Sequence, residues 1–170
     1  MENNKFENKN ICAKCGGRCC QKSGCDYFVE DFESMETKYL EEFLKQGFAS
    51  IVAFLEFEKL NSGKIVVTPI LILRARNTNR DIIDLVSFKT KCMSLTDTGC
   101  KFDITNRPSG GSTLIPKENG QCEESVDKLI ELKKYLPYQR VLQRLVKKFT
   151  GLTFEAKLSQ DMEKLFFDII

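Results

Sequence analysis

Apolar positions recur along this chain with two different periods, and the change of period divides it into segments. Between Ser34 and Gln46, the residues Met35, Tyr39, Leu40, Phe43 and Leu44 fall at helical spacing, and Gly47 suits the position after a last turn. Ala49 to Lys59 is rich in Ile, Val and Phe and predicts a strand. Asn61, Ser62 and Gly63 supply turn residues, and Lys64 to Arg76 is a second β-branched run, so the two predict a hairpin. Pro69 places the second strand at an edge or a bulge. A further turn at 77–79 precedes an expected third strand from Ile82 to Phe88. Helical spacing returns at Glu123–Leu136 (Val126, Leu129, Ile130, Leu132), at Tyr138–Thr150 (Val141, Leu142, Leu145, Val146, Phe149) and at Thr153–Asp168 (Phe154, Leu158, Met162, Leu165, Phe166).

Two stretches carry neither period. Residues 11–25 are dense in Cys and Gly and read as an irregular loop. Cys92 to Cys122 holds Gly99, Pro108, Gly110, Gly111, Pro116 and Gly120, and a connection of that length needs something to hold it in place. Metal ligation would do so. The expected fold is α+β: a small antiparallel three-stranded sheet with packed helices, two Cys-rich metal-binding loops and a C-terminal helical segment. Residues 1–122 are expected to form a cysteine-cluster metal-binding domain, with 123–170 a helical extension packed on the same domain.

Composition narrows the chemistry. The 170 residues are 42% hydrophobic and 29% charged, an ordinary globular balance, with a formal net charge of +2. Such a balance announces neither a nucleic-acid nor a membrane partner. Its most basic part lies between residues 61 and 120, where Arg74, Arg76, Arg80, Lys89, Lys91, Lys101 and Arg107 are spread as on a solvated face. The first ten residues are polar and lack the apolar core of a secretory signal. No run approaches the roughly 18 apolar residues of a membrane span. A cytoplasmic location is therefore expected, where thiols stay reduced and eight cysteines serve ligation, redox chemistry or burial rather than disulfides. The sequence has no histidine, which excludes Ser-His-Asp and Cys-His catalysis, Cys2His2 zinc sites and HExxH metalloproteases.

The cysteines fall in two groups. Cys12-x2-Cys15-x3-Cys19-Cys20-x4-Cys25 packs five thiols into fourteen residues, and Cys-x-x-Cys followed by glycine is the geometry of a metal knuckle. Lys, Gly, Arg and Gln surround these cysteines, which argues against simple burial as small hydrophobes. Cys92, Cys100 and Cys122 complete the set. Lys14, Arg18, Lys91 and Arg107 lie nearby in sequence and would lower thiol pKa values. Gly16 and Gly17 offer backbone N–H groups to sulfur, Asp26 and Asp31 are candidate oxygen donors (capping being the commoner role for Asp31), and Arg107 is a candidate partner of Asp97, Asp103 or the site itself.

The first cluster, Asp31-Phe32 before a helix, and Cys92-x7-Cys100-x6-Arg107-Pro108 together resemble the YkgJ-type cysteine-cluster family, described as chelating zinc or iron. The resemblance spans Ile11 to Cys122 and implies that Cys12, Cys15, Cys19, Cys20, Cys25, Cys92 and Cys100 belong to a shared ligand set. Many members place a cysteine three residues after the proline, where this chain has Gly111; Cys122 is the candidate substitute.

The leading expectation is a metal-binding protein that holds an iron–sulfur cluster, or a zinc or iron ion, through thiolates, in a redox, sensing or metal-handling role. Five crowded cysteines favour a cluster over a zinc ribbon, whose second separated knuckle is absent. One alternative is a zinc-stapled module that meets a protein partner through the Arg140, Arg144 and Lys148 stripe. The other is an S-adenosylmethionine-dependent lysine methylase, since flagellin lysine N-methylases resemble the same family. Against that enzyme reading, the chain is short, has no Gly-rich strand-to-helix loop, and carries Lys22 where a radical Cys-x3-Cys-x2-Cys pattern needs its third cysteine.

Overall fold

The computed structural model describes residues 8–22, 24–76, 81–86, 91–119 and 122–167. The chain opens with two short helices, α1 (Lys9–Cys15) and α2 (Arg18–Lys22), where an irregular loop was expected. The local chemistry explains the difference. Asn8 Oδ1 accepts from Ile11 N at 3.1 Å and starts α1, and Gly16 in the left-handed region ends it. Cys12 and Cys15 lie three residues apart, a spacing that shares one helix face as readily as it makes a knuckle.

A 3-10 turn (Val29–Asp31) leads to α3 (Thr37–Lys45), which buries Leu40 and Leu44 completely. Strands β1 (Ala49–Lys59) and β2 (Ile65–Ala75) form the expected antiparallel hairpin, in unbroken register from Ala49 opposite Ala75 to Lys59 opposite Ile65. Its inner half is buried, with Ile51, Ile70, Leu71, Ile72 and Leu73 fully so, and its outer half projects.

Both edges of the inner half are covered by irregular chain. On the β2 side, Tyr27 N donates to Leu73 O at 2.9 Å, Ala75 N donates to Cys25 O at 2.8 Å, and Asp26 bridges Arg74 in antiparallel fashion. Further out, the Gln139 amide replaces a strand: its Oε1 accepts from Leu71 N at 2.8 Å and its Nε2 donates to Leu71 O at 2.9 Å. Leu71, Leu73 and Ala75 thus turn their backbone groups outward, and by alternation Pro69 does too. Its missing N–H breaks no bond of the β1–β2 ladder.

The antiparallel third strand is not formed; every described sheet has two strands. Residues 81–86 instead lie along β1 in parallel, bridging Ile83 to Ile51, with Ile51 N donating to Ile82 O at 2.8 Å and Asp84 N to Ile51 O at 3.0 Å. The direction follows from topology, since β2 ends beside the start of β1 and the chain then crosses to β1's far edge. Ala53 N donates to Leu85 O at 3.0 Å where a regular ladder would use Asp84 O, so the pairing slips by one residue, and Leu85 N donates to Asp161 Oδ2 at 3.2 Å. Residues 87 and 88 of the expected strand lie outside the described residues.

The second Cys-rich stretch also differs from the expected bare loop. It contains a small hairpin, β3 (Leu95–Thr96) with β4 (Gly99–Cys100), then a single turn α4 (Ser109–Ser112), then β5 (Leu114–Ile115), which pairs with β6 (Glu123–Glu124). The helix expected from Glu123 begins only at α5 (Lys128–Lys133), where Asp127 caps Leu129 N and Ile130 N. Beyond a 3-10 turn (Leu136–Tyr138) come α6 (Gln139–Thr150) and α7 (Phe154–Phe167), close to the expected spans. Leu142, Leu145 and Val146 of α6 share one apolar cluster with α3 and the hairpin. Within it Tyr27, Phe32 and Phe43 meet at ring-centroid distances of 5.1–5.5 Å. Fully buried Tyr135 donates its hydroxyl to Tyr27 O at 2.9 Å and so ties the C-terminal helices to the cysteine segment.

Gln139→Met keeps the side-chain volume but leaves Leu71 N–H and C=O without partners at a fully buried residue. It is expected to destabilise the fold by about 1–3 kcal/mol, read as a lower urea midpoint at unchanged m value.

Candidate metal centre

Seven of the eight cysteines, Cys12, Cys15, Cys19, Cys20, Cys25, Cys100 and Cys122, line one cavity of about 490 Å³. The eighth, Cys92, stands behind it in contact with Cys20. All eight are free thiols. The two cysteine groups of the sequence therefore meet at a single place, which spacing alone left open.

Each wall has a local cause. Cys12 and Cys15 come from one face of α1. Gly16 and Gly17, with φ of 63° and 69°, reverse the chain so that α2 brings Cys19 and Cys20 back to the same cavity. Gly16 N closes α1 onto Ala13 O at 3.3 Å, so its N–H serves the helix rather than a sulfur. A backbone donor to sulfur appears elsewhere: Ser94 N donates to Cys92 Sγ at 3.5 Å. Cys92 N donates to Cys20 O at 2.6 Å and joins the two stretches directly, and β4 delivers Cys100.

Five sulfurs form a connected group. Cys19 is in hydrogen-bond contact with Cys20 and Cys25, and Cys20 is in contact with Cys92 and Cys100 as well. Hydrogen bonds from Cys20 and Cys25 lower the Cys19 pKa against the opposing effect of burial. The hydrogen bond from Cys20 likewise lowers Cys92 and Cys100, again against burial. The donors, Cys20 and Cys25, are raised, first by those same hydrogen bonds and then by desolvation. A bound cation would displace protons from such a set. Cys12 and Cys122 are raised mainly by burial.

Asp26 is not a spare ligand. Its carboxylate is almost fully buried, with Oδ1 paired to Arg74 at 2.5 Å and Oδ2 to Lys128 at 2.7 Å. Burial alone would raise its pKa, but the two cations outweigh burial and hold it below the usual carboxylate range. Asp31 is engaged too, accepting from Phe28 N at 2.8 Å and Ser109 N at 2.9 Å and from the Ser109 hydroxyl. Its role is the capping one, extended to anchor the Arg107-Pro108 loop. Asp103 is occupied with Thr105 and Asn106, while Arg107 lines the cavity and donates to Phe102 O at 3.2 Å. Arg18 and Lys128 line the same cavity.

Gly111 has a steric reason. A methyl at Gly111 would stand 2.6 Å from Cys25 Sγ and 3.1 Å from Arg107 Cδ, so Cys25 already fills that space. Cys122 reaches the cavity from the segment before β6 instead. The buried Asp26 pairing with Lys128, the Ser94 donor and the Asp31–Ser109 tie went unread in the sequence, because each joins residues no local pattern relates.

Among the described residues, no three Cys, Asp or Glu side chains close into a group that could hold a metal ion. The sulfurs ring a cavity rather than converge on a point. No helix among the described residues is long and apolar enough to cross a membrane. No family model, curated protein or solved structure matches the chain.

Two substitutions test this construction. Gly111→Ala is expected to cost about 1–3 kcal/mol, since its added methyl meets a pinned and buried cysteine. Asp26→Asn, which leaves Arg74 facing a neutral amide, is expected to cost about 3 kcal/mol, at the low end for a broken buried pair because Lys128 keeps access to water. Denaturant midpoints of both variants against wild type measure these effects.

Proposed function

We propose that this chain is a metal-binding protein whose cysteine cavity holds an iron–sulfur cluster, or zinc or iron ions, in a redox, sensing or metal-handling role. The observation that carries the reading is the convergence of seven thiols on one cavity, with the eighth in contact behind them. Thiolate is the ligand of soft and borderline metals, and no imidazole competes.

The residues fit such a group in three respects. The neighbouring carboxylates Asp26 and Asp31 are committed to ion pairs and hydrogen bonds, which leaves sulfur as the donor. Arg18, Arg107 and Lys128 line the cavity and offset thiolate charge. The cavity, about 490 Å³ and lined by seven cysteines, has room for a polynuclear centre. An iron–sulfur cluster in this place would supply electron transfer or sensing. The likeness of the cysteine spacing to the YkgJ-type family points the same way, and all eight thiols are free of disulfides.

Protein purified without oxygen is expected to carry iron and acid-labile sulfide in near-equal amounts, and Cys20→Ser, which removes the sulfur touching three others, is expected to lose both. Stoichiometric zinc without sulfide would reject the cluster form. Absence of any bound metal would reject the proposal.

A further inference from the structure

The charges of α6 are all of one sign and mostly unanswered. The helix carries Arg140, Arg144, Lys147 and Lys148 and no carboxylate. Lys148 reaches Glu41 of α3 at 2.6 Å. Arg140, Arg144 and Lys147 are exposed, and among the described residues none of them meets a carboxylate, whereas Lys45 on α3 and Lys133 on α5 each do. The helix is less stable for this arrangement. Like charges four residues apart repel, and Arg140 lies in the first turn, where the positive end of the helix dipole opposes a cation and no acidic residue offsets it. The three side chains stand at i, i+4 and i+7 on one face, along about 10 Å of helix. With Gln143, and with Thr153 and Glu155 at the start of α7, they line a concavity of about 270 Å³.

We infer that this face of α6 is a docking surface for an acidic segment of a partner protein, one that presents carboxylates about 6 Å apart, the separation of Arg140 from Arg144 along the helix. Each arginine offers a planar fork that takes a carboxylate through two parallel hydrogen bonds, and Lys147 adds a point charge at the far end. Carboxylates arriving there relieve the repulsion along α6, so an arrangement that costs the unbound helix stability becomes favourable in the complex. The concavity is smaller than pockets that enclose small ligands, and it suits the side chains of a partner instead. Glu155 on its α7 side decides the class of partner. A carboxylate there repels a continuous polyanion such as nucleic acid, and a formal net charge of +2 gives the chain no general basic field. A protein segment of mixed sign accommodates Glu155 by placing a basic residue beside its carboxylates, which also fixes the direction in which the segment lies. The surface shares no residue with the cysteine cavity and is independent of what that cavity holds.

The test uses the full chain as isolated and a fluorescent peptide in which two lysines follow four glutamates, with binding read by anisotropy at low ionic strength. Arg140→Glu/Arg144→Glu is expected to weaken binding at least about tenfold. Lys59→Glu/Lys64→Glu makes the same change of net charge at the exposed end of the hairpin and is expected to change binding by less than about twofold. Equal loss in the two variants shows attraction to net charge alone and overturns the inference, as does a wild type that does not bind the peptide. Tighter binding of an oligothymidylate with as many phosphates as the peptide has glutamates overturns it in favour of nucleic acid. Arg140→Gln/Arg144→Gln separates docking from folding. Peptide binding is expected to fall while the urea midpoint holds or rises, because the like-charge repulsion is gone. A lowered midpoint in that variant assigns the arginines to the fold and counts against the inference.

Discussion

The carboxylate of Asp26 is the point on which the cavity depends. It lies between two cations from distant parts of the chain, Arg74 of β2 and Lys128 of α5, while its carbonyl accepts from Gly110 N at 3.0 Å. One residue therefore fastens the Cys25 segment to the hairpin, to the C-terminal helices and to the loop that carries Arg107. Burying a charge is costly unless it is paired and hydrogen-bonded, and here both oxygens are paired. The arrangement fixes position more than it adds stability. Well-packed apolar residues would hold these segments together equally well, but they would not set the register of Cys25 against Gly110 and Gly111.

With that register set, the rest of the inner wall follows from backbone bonds. Asp31 holds Ser109 and Asp26 holds Gly110, so the chain that directly follows the Arg107-Pro108 turn is fastened at two consecutive residues. Cys20 and Cys92 are joined through their own main chains, which places the two cysteine groups in contact before any ion arrives. Much of the conformational cost of assembling a ligand set is thereby met by the protein fold. The outer wall has no such scaffold. The seven-residue α1 is shorter than helices that persist alone in water, so its order depends on what it packs against.

Features with a strong local period were legible in the sequence. The hairpin, α6 and α7 all repeat apolar residues at a spacing that only one conformation satisfies, and Gly47 and Gly151 mark helix ends by their left-handed backbone. The cysteine set was legible as chemistry, because its residue types are rare and crowded, but its local conformation was misread. Three-residue spacing serves a knuckle or a helix, and Asn8 decides for the helix. The third strand failed for a different reason. The run from Ile82 to Val86 has strand composition, yet its direction is set by where β2 ends, its pairing with β1 slips by one residue at Leu85, and its outer side meets Asp161, some 76 positions away. The basic stripe on α6 was also legible only in part: Lys148 is drawn to Glu41 of α3 at 2.6 Å, whereas Arg140, Arg144 and Lys147 line a shallow concavity with the start of α7. Long-range polar pairings such as Gln139 with Leu71 leave no trace in a one-dimensional pattern.

The charge of the site explains why basic residues from separate elements meet there. Several thiolates around one cavity repel each other, and hydrogen bonding among the sulfurs holds the pKa of Cys19 down and those of Cys20 and Cys25 up. Arg107 adds a permanent charge that favours the thiolate form of Cys12, Cys19 and Cys100. Its influence reaches sulfurs from three elements, α1, α2 and β4. Protons can leave when a cation enters, but a guanidinium cannot, so the two devices answer different needs. The fixed cation lowers the cost of assembling negative sulfur. That charge sits on a loop anchored by Asp26 and Asp31, which fixes its position against the sulfurs.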